Sequence, residues 1–544
     1  MDGGTGSTRL SKSCVLIIVV ASIERFSYKG VASNLVTYLT DVVKMSTSSA
    51  AKSVNTWCGV TSMLPLAGAF LADSYWDRYS TILVSSLLYV VGLLALTSRA
   101  LLWANTSSAS SSSSSASLFC SLYLISLGQG GYNPCLQAFG ADQLENVEDD
   151  ELPCNNVKES TNKKTSFFQW WYFGICSGSL LGVSFMSYIQ DTYGWGWGFA
   201  IPTIAMGASI VFFSCGSRSY VHKQSKIVEK PFDAIVHSIK EAVRKLLGGR
   251  ISLLPRDSDG FELELQEKKA LQVKIDGSKS SDMNPSSCEL PFDGARAILR
   301  LLPIWAMLLT FAVIFQQPST FFTKQGMTMK RNIGEDFMIP PATLQSAITI
   351  SIILLMPLYD KIIIPIIRIF TRDDKGCNVL QRIGIGMFLS IIAMIIAAVV
   401  ESKRLRISRK PDLLLSRTST VPLSIFWLLP QYILLGISDV FTVVGMQEFF
   451  YTQVPNRMRT IGIALYLSVF GVGSFLSALL ISVIELITSS SRQKHSWFSD
   501  DMREAHLDNY YWLLALLGTL SLFLFVNLSK HYNACKDSPN ESGK

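Results

Sequence analysis

Ile17 to Tyr38 reads IIVVASIERFSYKGVASNLVTY, an apolar helical run with Glu24, Arg25 and Lys29 through its middle. An ionised side chain at the centre of a bilayer-spanning helix costs about 2.5–3.5 kcal/mol on insertion scales. Three within two turns do not survive facing lipid and must face a polar cavity. At 3.6 residues per turn Ala21, Glu24, Arg25 and Tyr28 fall on one stripe and look the same way. That stripe is the first candidate for contact with whatever the protein binds or moves.

The rest of the chain agrees with a membrane setting. Of its 544 residues 49% are hydrophobic and 16% charged, against a soluble norm of about 25% charged. The net charge of +7 does not point to nucleic acid, because Lys and Arg sit mainly in loops on one side of the expected membrane. The ten cysteines fall singly, several inside apolar runs (Cys58, Cys120, Cys176), so neither a disulfide framework nor a zinc site is expected. The five histidines lie outside the spans, and no Ser-His or paired-carboxylate arrangement sits within them. An enzyme is therefore not expected, nor a cofactor or metal. Arg9 and Lys12 before a short apolar run imitate a signal peptide. The small-x-small triplet at Gly30 to Ala32 lies beyond three charges, so the run reads as a retained helix.

Spans are expected at Ile17 to Tyr38, Val54 to Leu71, Thr81 to Leu102, Leu118 to Ala138, Phe167 to Ile189 and Gly198 to Cys215. A second set follows at Ala297 to Phe315, Ile339 to Leu358, Ile383 to Val400, Val421 to Val444, Thr460 to Ile487 and Tyr510 to Val526. The expected class is an all-α polytopic membrane protein. It has one six-helix bundle over 1–215, a linker over 216–293, a second bundle over 294–530 and a tail over 531–544. The excess of Lys and Arg on the side of the termini and central loop places both termini in the cytosol. Lys403 to Arg417, with six basic residues, falls on the other side against that rule. So do the Ser-rich run Thr106 to Ser117 and the sequon at Asn105. In the linker, Asp233 to Leu247 reads as a basic amphipathic helix stopped by Gly248-Gly249, lying along the membrane surface.

Polar groups inside the spans mark a candidate site. The fourth span, SLGQGGYNPCLQAFGADQL, is expected to be loosened around Asn133 by Gly128, Gly130, Gly131 and Pro134, and the tenth, LLGISDVFTVVGMQEFF, by Gly436 beside Asp439. Interruptions at matching positions of two halves point to a transporter's central site. Gln316 and Gln317 close the seventh span. Asn133 and the two glutamines fit interhelical hydrogen bonding equally well, at about 1 kcal/mol each, whereas a membrane carboxylate such as Asp439 needs a specific partner. Asp73, Asp77 and Arg78 at a short turn after the second span read either as a conformational latch or as a solvated turn.

Glu24-Arg25-Phe26-Ser27-Tyr28, Phe139-Gly140-Ala141-Asp142-Gln143, and Tyr172-Phe173-Gly174-Ile175 with Gly178-Ser179-Leu180 resemble the plant nitrate transporter 1/peptide transporter family. This is the plant branch of the proton-coupled oligopeptide transporters, within the major facilitator fold. The resemblance covers essentially the whole chain. Asn133-Pro134-Cys135 and Ser438 to Thr442 look most like its fifth subfamily. The family's first-helix motif is Glu-x-x-Glu-Arg, and here its first Glu is Ala21; the family's fourth-helix Lys falls on Asn133. An anion and a cation are lost together, as expected if removing one partner of a buried pair strands the other at about 3–5 kcal/mol. The seventh-helix His by which one member type holds nitrate falls on Ile314. Asp439 resembles the tenth-helix carboxylate that faces a peptide's amino end.

The resemblance implies a secondary transporter working by alternating access. A small anion, nitrate first, is the expected solute, contacted by Arg25 with Tyr28, Asn133 and Gln316 lining the site. Glu24 and Asp439 are the proton-coupling candidates, with coupling weakened or lost. A proton-coupled di- or tripeptide carrier is the alternative, and a receptor that moves nothing is a third reading. Expected partners are the solute, protons and the bilayer, with no nucleic acid; the vacuolar and plasma membranes both fit.

Overall fold

The structure, a computed structural model, describes residues 11–74, 77–105, 111–145, 157–220, 291–334, 337–358, 379–409, 420–454, 459–489 and 496–537. The expected amphipathic helix at 233–247 and the sequon's Thr106 and Ser107 lie outside them. Twelve principal helices follow one another among the described residues. The first six are α1 (Lys12–Ala32), α2 (Thr47–Ser74), α3 (Arg78–Asn105), α4 (Ser111–Glu145), α5 (Val157–Thr192) and α6 (Trp195–Cys215). The second six are α7 (Pro291–Phe315), α8 (Ser346–Leu358), α9 (Val379–Ser408), α10 (Leu429–Thr452), α11 (Arg459–Ser489) and α12 (Leu507–Asp537). They form the two expected bundles, and most helices outrun their expected apolar spans. The end of the Ser-rich run, from Ser111, is the first turns of α4 rather than loop.

Among the described residues, eight helical stretches are long and apolar enough to cross a membrane. The exceptions are α1, α2, α4 and α8, of which α8 is short in its described part. The first three carry the polar groups noted above, and a helix screened from lipid by its neighbours has no need of an apolar surface all round. The outer helices differ. Val84, Leu87, Val91 and Leu94 of α3, and Leu516, Leu520 and Phe523 of α12, are exposed at helical spacing, making stripes that lipid covers.

The glycines of α4 and α10 do not loosen those helices, contrary to the sequence expectation. Both helices are continuous, with Pro134 inside α4. The glycines are points of close approach. A Cβ on Gly130 would stand 2.7 Å from Cβ of Leu64 on α2, and one on Gly436 would stand 2.7 Å from the Ile348 carbonyl oxygen on α8. Neither fits without moving a neighbouring helix.

The interruptions fall in α1 and α7, the first helix of each half. After Ala32 the chain turns at Ser33-Asn34 and continues as the short helix Leu35–Thr37 and a π-turn, Tyr38–Val42. Gln190 of α5 donates to the Gly30 carbonyl at 2.8 Å and Gln345 donates to the Ser33 carbonyl at 2.8 Å. In this way side chains satisfy backbone groups that the broken helix releases. The seventh span does not end at Phe315. It breaks at Gln316 to Thr320 and resumes as Phe321–Met327. Pro318 has no N–H to give to a helix. The Thr320 hydroxyl donates to the Gln316 carbonyl at 3.0 Å and Thr323 to that of Pro318 at 2.8 Å.

Beyond the second break lies a small cap. Strand β1 (Met329–Lys330) pairs in parallel with β4 (Val421–Ser424), and β2 (Asn332–Ile333) pairs antiparallel with β3 (Phe337–Met338). Under the cap two of the six basic residues that opposed the charge rule are accounted for, because α9 continues through Ser408; Lys410 and Arg417 lie outside the described residues. Arg404, 1% exposed, is held by both Glu401 oxygens, and it donates to Thr328 at 3.1 Å and to the Met502 carbonyl at 2.8 Å. Lys403 lies 3.5 Å over the Trp427 ring. Arg404 is neutralised inside the protein and Lys403 rests on an aromatic face, so neither is a free loop charge of the kind that sets orientation.

Arg404→Met alone should strand Glu401 and destabilise the bundle by about 3–5 kcal/mol, whereas Arg404→Met with Glu401→Leu should recover most of the loss. Apparent Tm of the detergent-solubilised protein measures both, and an unmoved Tm in the single variant would show that the pair does not hold the cap.

Candidate functional site

The α1 stripe is divided between two environments. Glu24, 1% exposed, points into the first bundle against α4, whereas Arg25 keeps 28% of its side-chain surface. Helical spacing alone put them on one face. Packing separates them, because the α4 side of α1 is closed and the side toward the second bundle is open. They still touch, Arg25 Nε lying 3.5 Å from Glu24 Oε2. The other Glu24 oxygen accepts from Gln129 Nε2 at 3.2 Å.

Gln129, 3% exposed, is therefore the α4 partner of Glu24, and Asn133, one turn further on, is half-buried with no hydrogen bond to a described residue. Sequence reading passed over Gln129. Its place in Gly128-Gln129-Gly130 was the available signal, since glycines on either side bring the backbones of α2 and α3 close and leave the amide pointing toward α1. Tyr132 braces the same region, its hydroxyl donating to the Val20 carbonyl at 3.4 Å. Tyr28 packs on Trp57, ring centroids 5.6 Å apart, and Trp57 is fixed by donating to the Leu122 carbonyl at 2.9 Å.

Lys29 is the second omission. It follows Arg25 by four residues, so it lies at the edge of the same face, and it is half-buried. Its charge acts on both Arg25 and Asp439. Asp439, half-buried on α10, accepts no hydrogen bond from a described residue, and Lys29 is the charge that acts on it. Tyr172 and Cys176 of α5 lie in the field of Asp439, as does Tyr466 of α11. The result is a space between the bundles with two cations on the α1 wall and one carboxylate on the α10 wall.

Gln316 is 9% exposed at the break of α7, and Gln317 is fully buried behind it. Asp77 is exposed just before α3, where its carbonyl accepts from the Thr81 amide and hydroxyl. Asp73 lies at the end of α2, with its side chain outside the described residues.

Among the described residues, the hydrogen bonds and ion pairs that join the two bundles lie in the half away from the termini. Lys324 Nζ donates to Thr40 at 2.7 Å and lies 3.4 Å from Asp41. Lys52 lies 2.8 Å from Glu485, which also accepts from Ser48 at 2.7 Å. Asp500 accepts from the Thr47 amide at 2.7 Å, and Arg331 lies 3.4 Å from Asp191. The far side of the central space is thus sealed.

Two six-helix bundles, sealed together on one side around a central space with opposed charges, define a membrane transporter of the major facilitator fold. The family model described as PTR2: POT family matches residues 79–498, and the chain belongs to the POT family. Protein NRT1/PTR FAMILY 5.9 of Arabidopsis thaliana is 55% identical over 559 residues, covering 99% of each chain. Protein NRT1/PTR FAMILY 5.10 of the same plant is 44% identical over 528 residues, covering 96% of this chain and 92% of its own. The fold is shared with the solved POT family transporter PepTSo, at a TM-score of 0.71 and 21% identity over 97% of this chain and 99% of that one.

If Gln129 holds Glu24, Gln129→Leu removes a hydrogen bond to a buried charged group and should cost about 1.5–3 kcal/mol. Asn133→Ala should stay within about 0.5 kcal/mol of the parent. Apparent Tm in detergent ranks them, and a larger loss at Asn133 than at Gln129 would show that Gln129 does not hold Glu24.

Proposed function

We propose that the protein moves a small anionic solute, nitrate first, by alternating access. The observation that carries the reading is the division of the α1 charges. Glu24 is drawn away into the first bundle while Arg25 and Lys29 stand toward the central space. A guanidinium offers a planar anion two parallel donors, and the ammonium adds a point charge beside it. Tyr28, Asn133 and Gln316 complete the lining, with Gln316 carried on the break of α7 where the helix gives up its regular bonding.

Asp439 sets the charge of the site. As a carboxylate it competes with the solute for Lys29; once protonated it leaves Lys29 to the anion. Proton dependence in this reading rests on Asp439 rather than on Glu24. The pair that would otherwise accompany Glu24 is missing at Ala21 and Asn133, and Gln129, which does not titrate, stands in. In this reading the seal on the far side belongs to a state that loads or releases the solute on the face of the termini, the face expected to be cytosolic.

A dipeptide is the second reading, favoured by one observation. Cations on α1 and a carboxylate on α10 face each other across the space, a dipolar arrangement that suits a zwitterion. Arg25 and Lys29 would hold its carboxylate and Asp439 its amino group.

Purified protein in liposomes, at fixed membrane potential, separates these readings. Arg25→Ala should abolish nitrate flux while the amount of protein in the membrane stays constant; unchanged flux would remove Arg25 from the site. Nitrate flux should rise as pH falls, and Asp439→Asn should make it high and insensitive to pH. A variant that keeps the parental pH dependence would place the proton elsewhere. Strong competition by dipeptides together with no nitrate flux would favour the zwitterion reading.

A further inference from the structure

On one side of the molecule the boundary between the bundles runs between α5 and α8, and at the sealed end it meets the β2–β3 hairpin. α5 of the first bundle packs against α8 of the second and against the turn before it. On α5, Leu181, Phe185 and Tyr188 follow one another at helical spacing, the first two exposed and the third half-buried. On α8, Ile350 and Leu354 are exposed one turn apart. At 1.5 Å per residue the α5 run covers ~10 Å and ends near the sealed face, a length that fits within the ~15 Å hydrocarbon depth of one leaflet.

The hairpin closes the end of this seam and joins its walls. Phe337 stacks on Tyr188, ring centroids 5.8 Å apart, and Arg331 lies 3.4 Å from Asp191 at the end of α5. Phe337 nonetheless keeps 46% of its surface, so the stack covers only part of the ring. Ile333, its partner in the β2–β3 register, is exposed as well; residues paired in this way share a face of the hairpin. Tyr193 and Trp197, just beyond Asp191, are exposed, and so is Lys330. Tyr and Trp beside basic side chains mark the level at which hydrocarbon gives way to headgroups. The apolar surface of α5 thus continues onto the hairpin without leaving the lipid-covered outside of the protein.

We propose that a phospholipid of the leaflet on the sealed side binds at this seam, its acyl chain along Leu181, Phe185, Ile350 and Leu354 and its headgroup at the hairpin beside Lys330. The segment 330–336 holds two basic and two acidic residues, so a zwitterionic headgroup, with one phosphate and one ammonium, matches it better than an anionic one. The walls of the site come from both bundles, and they stand together only while the far side is sealed. A lipid that binds this arrangement more tightly than the parted one stabilises the sealed state. The inference concerns a partner of the fold and holds for either solute.

Photolabelling tests it, with the full chain in phosphatidylglycerol nanodiscs that contain a trace of phosphatidylcholine bearing a photoreactive acyl chain. Adducts located by mass spectrometry should concentrate on residues 181–193 and 331–354, about tenfold above the exposed stripe of α3. Adducts spread over α3 and α12 in proportion to exposure would mean bulk lipid only and overturn the proposal. Phe337→Ala should abolish the enrichment and leave the labelling of α3 unchanged. Tyr188→Ala, on the opposite wall, should do the same and decides if the first variant fails to fold; enrichment that survives the substitution would overturn the site. The preference for the sealed state is read on the parent protein in detergent, where adding phosphatidylcholine should slow hydrogen–deuterium exchange over residues 40–52, the first bundle's part of the seal, by about fivefold. Exchange that ignores the lipid would overturn that link.

Discussion

The Glu24 carboxylate is buried near the middle of a membrane helix, and the first bundle is arranged to meet it. Desolvating such a group is tolerable only if its lone pairs find donors. One oxygen accepts from the amide of Gln129, and the other lies 3.5 Å from Arg25 Nε as an ion pair. Gln129 reaches α1 because Gly128 and Gly130 let α4 approach α3 and α2 to within backbone contact. The requirements of one carboxylate thus propagate into the spacing of four helices. Because Glu24 turns inward, the charge left facing the space between the bundles is that of Arg25 and Lys29.

The bundle architecture is legible in the sequence because lipid imposes a simple condition. Outer helices must be apolar for about twenty residues, and those of α3, α9 and α12 announce themselves in that way. The inner helices are less plain, since their polar groups dilute the apolar signal, yet the charges of α1 were readable for the same reason: lipid would not tolerate them. The breaks could not be read so directly. Glycine marks both a loosened helix and a tight crossing, and composition does not distinguish them. In α4 and α10 the glycines answer to neighbours distant in sequence, Leu64 and Ile348. The break of α7 is instead signalled by Pro318 after two amides, and that of α1 by Ser33-Asn34.

The candidate site is half legible. Residue type and place in a span single out Arg25, Tyr28, Gln316 and Asp439 as candidates. Asn133 is singled out as a lining residue because the resemblance places a charged residue there, whereas Gln129, one turn earlier and uncharged, gives no comparable signal that it bonds Glu24. Lys29 was seen as a charge but not as part of the site, since a stripe drawn through Ala21, Glu24 and Tyr28 leaves it at the margin. Which side of that stripe is open depends on where the second bundle stands, a long-range fact that periodicity within one helix does not contain.

The two broken helices meet where the bundles are sealed. Thr40 and Asp41 in the π-turn after α1 receive Lys324 from the short helix after α7, and Gln345 spans from Thr323 to the Ser33 carbonyl. A continuous helix presents few free polar groups along its length, whereas a break exposes carbonyls that another element can bond. The interruptions that deform α1 and α7 near the central space therefore also supply the groups by which the bundles hold each other. Gln316, nearly buried at the break, and Gln317, which donates to Tyr510, are adjacent on one such break. The same break that holds this glutamine pair is followed directly by the short helix that carries Lys324 to the seal.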